Sequence, residues 1–337
     1  MLRFDYKIQD RLGMEMFELG MYKDRNASIV GPIRDGFAQG LCMNEDIVSE
    51  MVAQGYVKTE EEAVRTLFYM SLFGDELDSF VFNTYFKDGV KIQDVAEFRN
   101  NPYIQKVKFD TEININNVSL GMGNFKKYEV FENGFISRNK KFITTPNVGF
   151  FDEDVLYPAI SQDNRAWMTV TPSEINTMKE DLKAMKGDIV VFGLGLGYFA
   201  YMSALKSDVP SVTIVEKDSD IIEIFNSYIL PQFEEAVRSK IKVINADAKE
   251  LYLDKEFMGG FKTCYIDIWR TIKDGIELYA FFKEHEKVHK VKTRYWIEKE
   301  FALRYQDAML YYALDKLTSS FHAGSLDPYM QFIYAKI

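Results

Sequence analysis

Val190-Val191-Phe192-Gly193-Leu194-Gly195-Leu196-Gly197-Tyr198 is the stretch that decides the fold. A β-branched run meets glycine at every second position and then continues into a helix-forming segment. Glycine tolerates positive φ and lets backbone approach a ligand, while the first turn of the next helix aims free N–H groups at negative charge. The wider run from Ile189 to Leu205 carries no charge. It falls short of the roughly 20 residues that span a bilayer, and its glycines would weaken a helix. A buried strand, a tight turn and a helix account for the same letters.

Outward from this turn, Val212-Thr213-Ile214-Val215-Glu216 is a strand ending in a carboxylate. It lies about 20 residues past the glycines, where an acid can accept hydrogen bonds from both hydroxyls of a ribose. Beyond Asp188, strands alternate with helical stretches. The strands are expected at 188–192, 211–215, 242–245, 263–268 and 294–297, with helices around 198–205, 220–229, 248–253 and 275–287. This order predicts an α/β fold with a doubly wound, mostly parallel sheet of Rossmann-like type.

The glycine spacing separates two classes of ligand. A dinucleotide fingerprint, G-x-G-x-x-G, needs its third glycine where Tyr198 stands. Gly193-x-Gly195-x-Gly197 instead resembles the first motif of class I S-adenosylmethionine (SAM)-dependent methyltransferases, and the resemblance extends from about Trp167 to Ile297. Asp247, after the third strand, matches the family's acid at the adenine amino group. Asp267, at the end of the fourth, matches the acid near the methionine moiety. The nearest likeness within the family is the spermidine synthase-like branch. The resemblance implies SAM as cofactor, held by Gly193, Leu194, Gly195, Leu196, Gly197, Glu216, Lys217, Asp247, Ala248 and Asp267. Asp267 is then the candidate catalytic residue, orienting or deprotonating a small-molecule acceptor. Methyl transfer is the first reading. Aminopropyl transfer and non-catalytic nucleoside binding are the alternatives.

Two departures bear on this. The family's acid two places before the first glycine is Val191 here, and Asp267-Ile268-Trp269-Arg270 stands where amino methyltransferases carry an Asn/Asp-Pro-Pro-aromatic motif. Each candidate also has a structural reading. The glycines can serve a tight turn alone, Glu216 can cap the segment beginning at Lys217, and Asp247 and Asp267 can be turn or N-cap residues. Before the glycine strand, Ser173, or Thr171 with Glu174, can cap a helix running to Lys186, with Pro172 in its first turn. Trp167 and Thr171 are weaker site candidates at the methyl end.

His285-Glu286-Lys287-Val288-His289 matches H-E-x-x-H, a zinc-protease pattern when both imidazoles share one helix face. The lysines around it mark a solvated helix end, and the nearby Glu298 and Glu300 offer no convincing third ligand. No metal is expected.

The first hundred residues read as mainly helical, with helices at 44–54 and 60–73 and a capping box formed by Thr59 and Glu62. From about Gln105 to Phe151 short β runs follow, and Asn133-Gly134 signals a type I′ hairpin. At 337 residues two domains are expected: residues 1–160, helical plus a small antiparallel β part, and 161–337, the SAM-binding domain. The N-terminal part is expected to shape the acceptor site or an oligomer contact, a homodimer being one form.

A net charge of −10 argues against nucleic acid as a partner. The short basic runs Lys126-Lys127 and Arg138 to Lys141 read as solvated loops. Cys42 and Cys264 are the only cysteines and form neither a disulfide framework nor a metal cluster. With no signal-type apolar segment at the N-terminus and no membrane-spanning run, a cytoplasmic location is expected.

Overall fold

The computed structural model describes residues 6–139, 143–162 and 165–318. The fold is α/β, and five all-parallel strands form its central sheet. We label them β1 (Ile189–Phe192), β2 (Val212–Glu216), β3 (Ile241–Asn245), β4 (Thr263–Ile266) and β5 (Lys292–Tyr295), in the spatial order β3-β2-β1-β4-β5. Every residue of β1 and β4 is buried, which explains why these strands read as continuous apolar runs rather than alternating ones. The chain winds outward from β1 to β3, then returns to start β4 on the other side of β1. That reversal opens a crevice at the carboxyl ends of β1 and β4.

Helices cover both faces of the sheet. Val191 and Tyr265 are register partners on adjacent strands and share one face. On that side Phe199, from the helix Tyr198–Ala204, stacks on Tyr265 with ring centroids 3.6 Å apart. Phe192 points to the opposite face. It meets Tyr252 of the helix Ala248–Leu253 and Phe282 of the helix Ile272–His285.

The last strand begins two residues earlier than expected and ends at Tyr295, because the chain turns sharply at Ile297, where φ is +52°. The helix expected at 220–229 is α-helical only over Ser219–Ile224, then widens to a π turn over Phe225–Ile229. Sequence reading also passed over the long helix Glu298–Thr318.

By its contacts the chain divides into two compact units, and the division is not a single cut near residue 160. One unit comprises 94–125 and 155–302, and the other 1–93, 126–154 and 303–337. The reason is a β pairing. Val118–Phe125 and Val155–Gln162 are antiparallel partners along their whole lengths, so both belong to the unit that holds the parallel sheet. The intervening residues 126–154 form an excursion that folds with the N-terminal helices. With Ile113–Ile115 and Arg165–Thr169, the paired strands make a four-stranded antiparallel sheet.

The other unit packs Ile33, Val48, Val64, Phe68, Phe86 and Phe150 into its own core. Its helices include Tyr6–Ala38, Glu45–Ala53 and Glu60–Phe73. The Thr59 hydroxyl accepts the Glu62 amide at 3.2 Å, while the Glu62 carboxylate takes the amide of Lys58, one residue before the cap.

The hairpin expected at Asn133-Gly134 does not form. Phe131–Glu132 pairs instead with Val148–Phe150. Asn133 is buried there, with its amide donating to the Asn147 carbonyl and its side chain to Gln93. These bonds hold the segment in a longer connection. Lys140 and Lys141 of the expected basic run lie outside the described residues. Among the described residues, no helix is long and apolar enough to cross a membrane.

Candidate functional site

A cavity of about 550 Å³ opens at the crevice between β1 and β4. It lies within the unit that carries the parallel sheet. Gly193, Leu194, Gly195, Leu196, Glu216, Lys217, Asp247, Ala248 and Asp267 all line it. Residues separated by up to 74 positions in sequence (193 to 267) therefore meet at one place because four strands, β1 to β4, end there.

The glycine turn is fixed by close packing. Gly193 has φ +97°, and a Cβ on it would stand 1.8 Å from the carbonyl oxygen of Asp267. No other residue type fits between the ends of β1 and β4. Gly197, at φ +75°, is the N-cap of the helix Tyr198–Ala204, and a Cβ there would strike the Phe225 ring at 2.4 Å. It does not line the cavity, and the Phe225 ring packs against it. The amides of Gly195 and Leu196 have no hydrogen-bond acceptor among the described residues and remain available as donors. The turn is braced from below by the buried Tyr103, whose hydroxyl donates to the Leu196 carbonyl.

Glu216 ends β2 with its carboxylate turned back toward this turn. Oε2 accepts the Leu194 amide at 3.0 Å, and Oε1 accepts the amides of Lys217 and Asp218 at 2.7 and 2.8 Å. A carboxylate offers about four lone-pair positions. One therefore remains free, on Oε2, and accepting two ribose hydroxyls requires displacing the Leu194 amide. Asp247 is the N-cap of the helix Ala248–Leu253, with Oδ1 accepting the Lys249 amide and Oδ2 paired to Lys217 Nζ at 3.2 Å. Burial opposes its ionisation, but these partners outweigh it and hold its pKa below the usual carboxylate value.

Asp267 and Glu174 stand apart from these satisfied groups. Both line the cavity, and neither carboxyl makes a hydrogen bond or ion pair among the described residues. Burial pushes Asp267 well above the usual carboxylate range, and the neighbouring Glu174 adds to the shift. Burial raises Glu174 to about 7. Two donors on residues that line the cavity are also unmatched. The Tyr265 hydroxyl and the Trp269 indole N–H are buried without a partner.

Sequence reasoning took Glu174 as a capping residue and did not select Tyr265 or Trp269. The helix Pro172–Ala184 does begin at Thr171, but Thr171 makes no side-chain cap hydrogen bond. Thr171 does not line the cavity, whereas Trp167 does. Trp167, Trp269 and Trp296, all the tryptophans of the chain, line the same space. Arg270 stacks on Trp167 at 4.5 Å and donates to Gln162 Oε1 at 2.9 Å, at the cavity rim.

The H-E-x-x-H residues are not presented on one helix. The α-helix ends at His285, whose Nδ1 lies 2.7 Å from the Phe281 carbonyl, and His289 sits in extended backbone against Tyr252. Glu286 is engaged by Tyr295 and Lys283. Among the described residues, no group of three potential metal ligands converges.

Comparison of the sequence with family models and with curated proteins finds no match.

Proposed function

We propose that the chain is a SAM-dependent transferase, a methyltransferase in the first instance, acting on a small-molecule acceptor through a Rossmann-like domain. The observation that carries this reading is the convergence of the glycine turn, Glu216 and Asp247 on one side of β1 with Asp267 on the other, around a single cavity. The residues suit the group. The volume lies within the roughly 300–1,000 Å³ typical of small-molecule pockets. Two free turn amides, one free acceptor position on Glu216 and two unpaired carboxyls match a ligand with hydroxyls, an anionic end and positive charge.

Gly195 and Leu196 would hold the donor through backbone amides, Glu216 through the ribose and Asp247 through the adenine amino group. When bound, SAM supplies an electrophilic carbon attached to a sulfonium. The protein's own contribution is chiefly alignment, since holding donor and acceptor in line removes much of the barrier to a displacement. Burial and the neighbouring Glu174 favour the protonated form of Asp267 while the cavity lacks a cation. Positive charge beside it lowers its pKa and converts it to a base facing the acceptor.

The unpaired acids also favour a second reading, transfer of an aminopropyl group, in which decarboxylated SAM is the preferred donor. Calorimetric titration with SAM, S-adenosylhomocysteine (SAH) and decarboxylated SAM separates the two. Asp267→Asn is expected to keep SAH affinity within about threefold and lower turnover by about 10² or more, the scale of a lost general base. Normal turnover by that variant removes Asp267 from catalysis, and donor binding without any product leaves a nucleoside-binding protein.

A further inference from the structure

The amino-acid end of the proposed donor needs a counter-charge that neither Glu216 nor Asp247 can supply. Both lie toward β2 and β3, on the adenosine side of the turn. A ligand fixed there and crossing the turn puts its methionyl end toward β4. At that end of β1 stands Val191, an apolar side chain.

Glu174 reaches the same space from the helix Pro172–Ala184. It occupies the third position of that helix, where a Thr-x-x-Glu sequence ordinarily closes a capping box. Here the box is not made, Thr171 gives no cap hydrogen bond, and the Glu174 carboxyl lines the cavity without a protein donor. A carboxyl without a protein partner is stabilised in its ionised form by an incoming cation.

We propose that Glu174 is the counter-ion of the α-ammonium group of the donor. This assignment rests on the donor reading above and adds to it a binding residue from outside the parallel sheet. The pairing makes donor affinity depend on pH, because Glu174 must lose its proton to bind the ammonium.

The test compares two ligands that share the adenosine and differ in the amino-acid end. SAH carries the ammonium and carboxylate, and 5′-methylthioadenosine carries neither. Calorimetry on Glu174→Gln is expected to give an SAH affinity about tenfold or more below wild type, with methylthioadenosine affinity within twofold. That second figure also reports that the variant is folded. In the wild type, SAH affinity is expected to rise from pH 6 to pH 8, and in Glu174→Gln this rise is reduced, the remainder belonging to Asp267, which lines the same cavity. Unchanged SAH affinity, or an equal loss for both ligands, overturns the assignment. Failure of the wild type to bind either ligand overturns the donor reading itself and the assignment with it.

Discussion

Gly193 and Glu216 carry the account at the scale of single residues. Gly193→Ala combines a left-handed φ with a Cβ driven into the Asp267 carbonyl, so the ends of β1 and β4 must separate. Urea denaturation is expected to show a loss of stability on the order of 3 kcal/mol, together with loss of ligand binding. Glu216→Gln keeps the shape but replaces one acceptor oxygen with a donor that cannot serve the Leu194, Lys217 or Asp218 amides. SAH affinity is expected to fall about 30-fold by calorimetry, as charged hydrogen bonds are worth roughly 1.5–3 kcal/mol. An affinity within threefold of wild type would remove Glu216 from the site. Both residues were legible from sequence because a fixed spacing along a strand–turn–helix unit sets where they fall. Glu174 was not, because the same letters encode a cap, and only tertiary packing determines whether the cap bond forms.

The elements repeat this pattern. β1, β2 and the helix Ala248–Leu253 follow their apolar runs to within a residue, since burial on both faces leaves little choice of register. The Asn133-Gly134 signal failed because a local turn preference of at most a few kcal/mol competes with the buried Asn133 bonds to Gln93 and Asn147. The helix Pro172–Ala184 carries the clearest pH consequence. Unfolded, Glu174 titrates near its ordinary value of about 4.3; folded, it titrates at about 7. The fold favours the protonated form, so its contribution to stability is complete below about pH 4.3 and is lost as pH rises through about 7. Glu174→Gln cannot ionise, and its melting temperature is therefore expected to gain on wild type between pH 4.5 and pH 8. A difference that is flat across that window would contradict the half-buried, unpaired environment. Tyr103→Phe tests the brace beneath the turn, and weaker SAH binding with stability reduced by about 1 kcal/mol is expected from thermal unfolding and calorimetry.

For the whole molecule, the two-unit division was only half legible. Two cores follow from chain length and composition, but the interleaved boundary depends on the pairing of Val118–Phe125 with Val155–Gln162, a contact that bridges the 126–154 excursion. The gathering of Trp167, Trp269 and Trp296 around one cavity was likewise invisible in the letters, because it needs the ends of β4 and β5 and the last antiparallel strand to meet. It supplies an internal reporter. Titrating the full chain with SAH while recording tryptophan fluorescence should give a saturable change with a micromolar midpoint, and Glu216→Gln should shift that midpoint about 30-fold upward. Emission that stays constant to millimolar SAH, with no heat of binding in parallel, would contradict the assignment of this cavity to an adenosine-bearing donor.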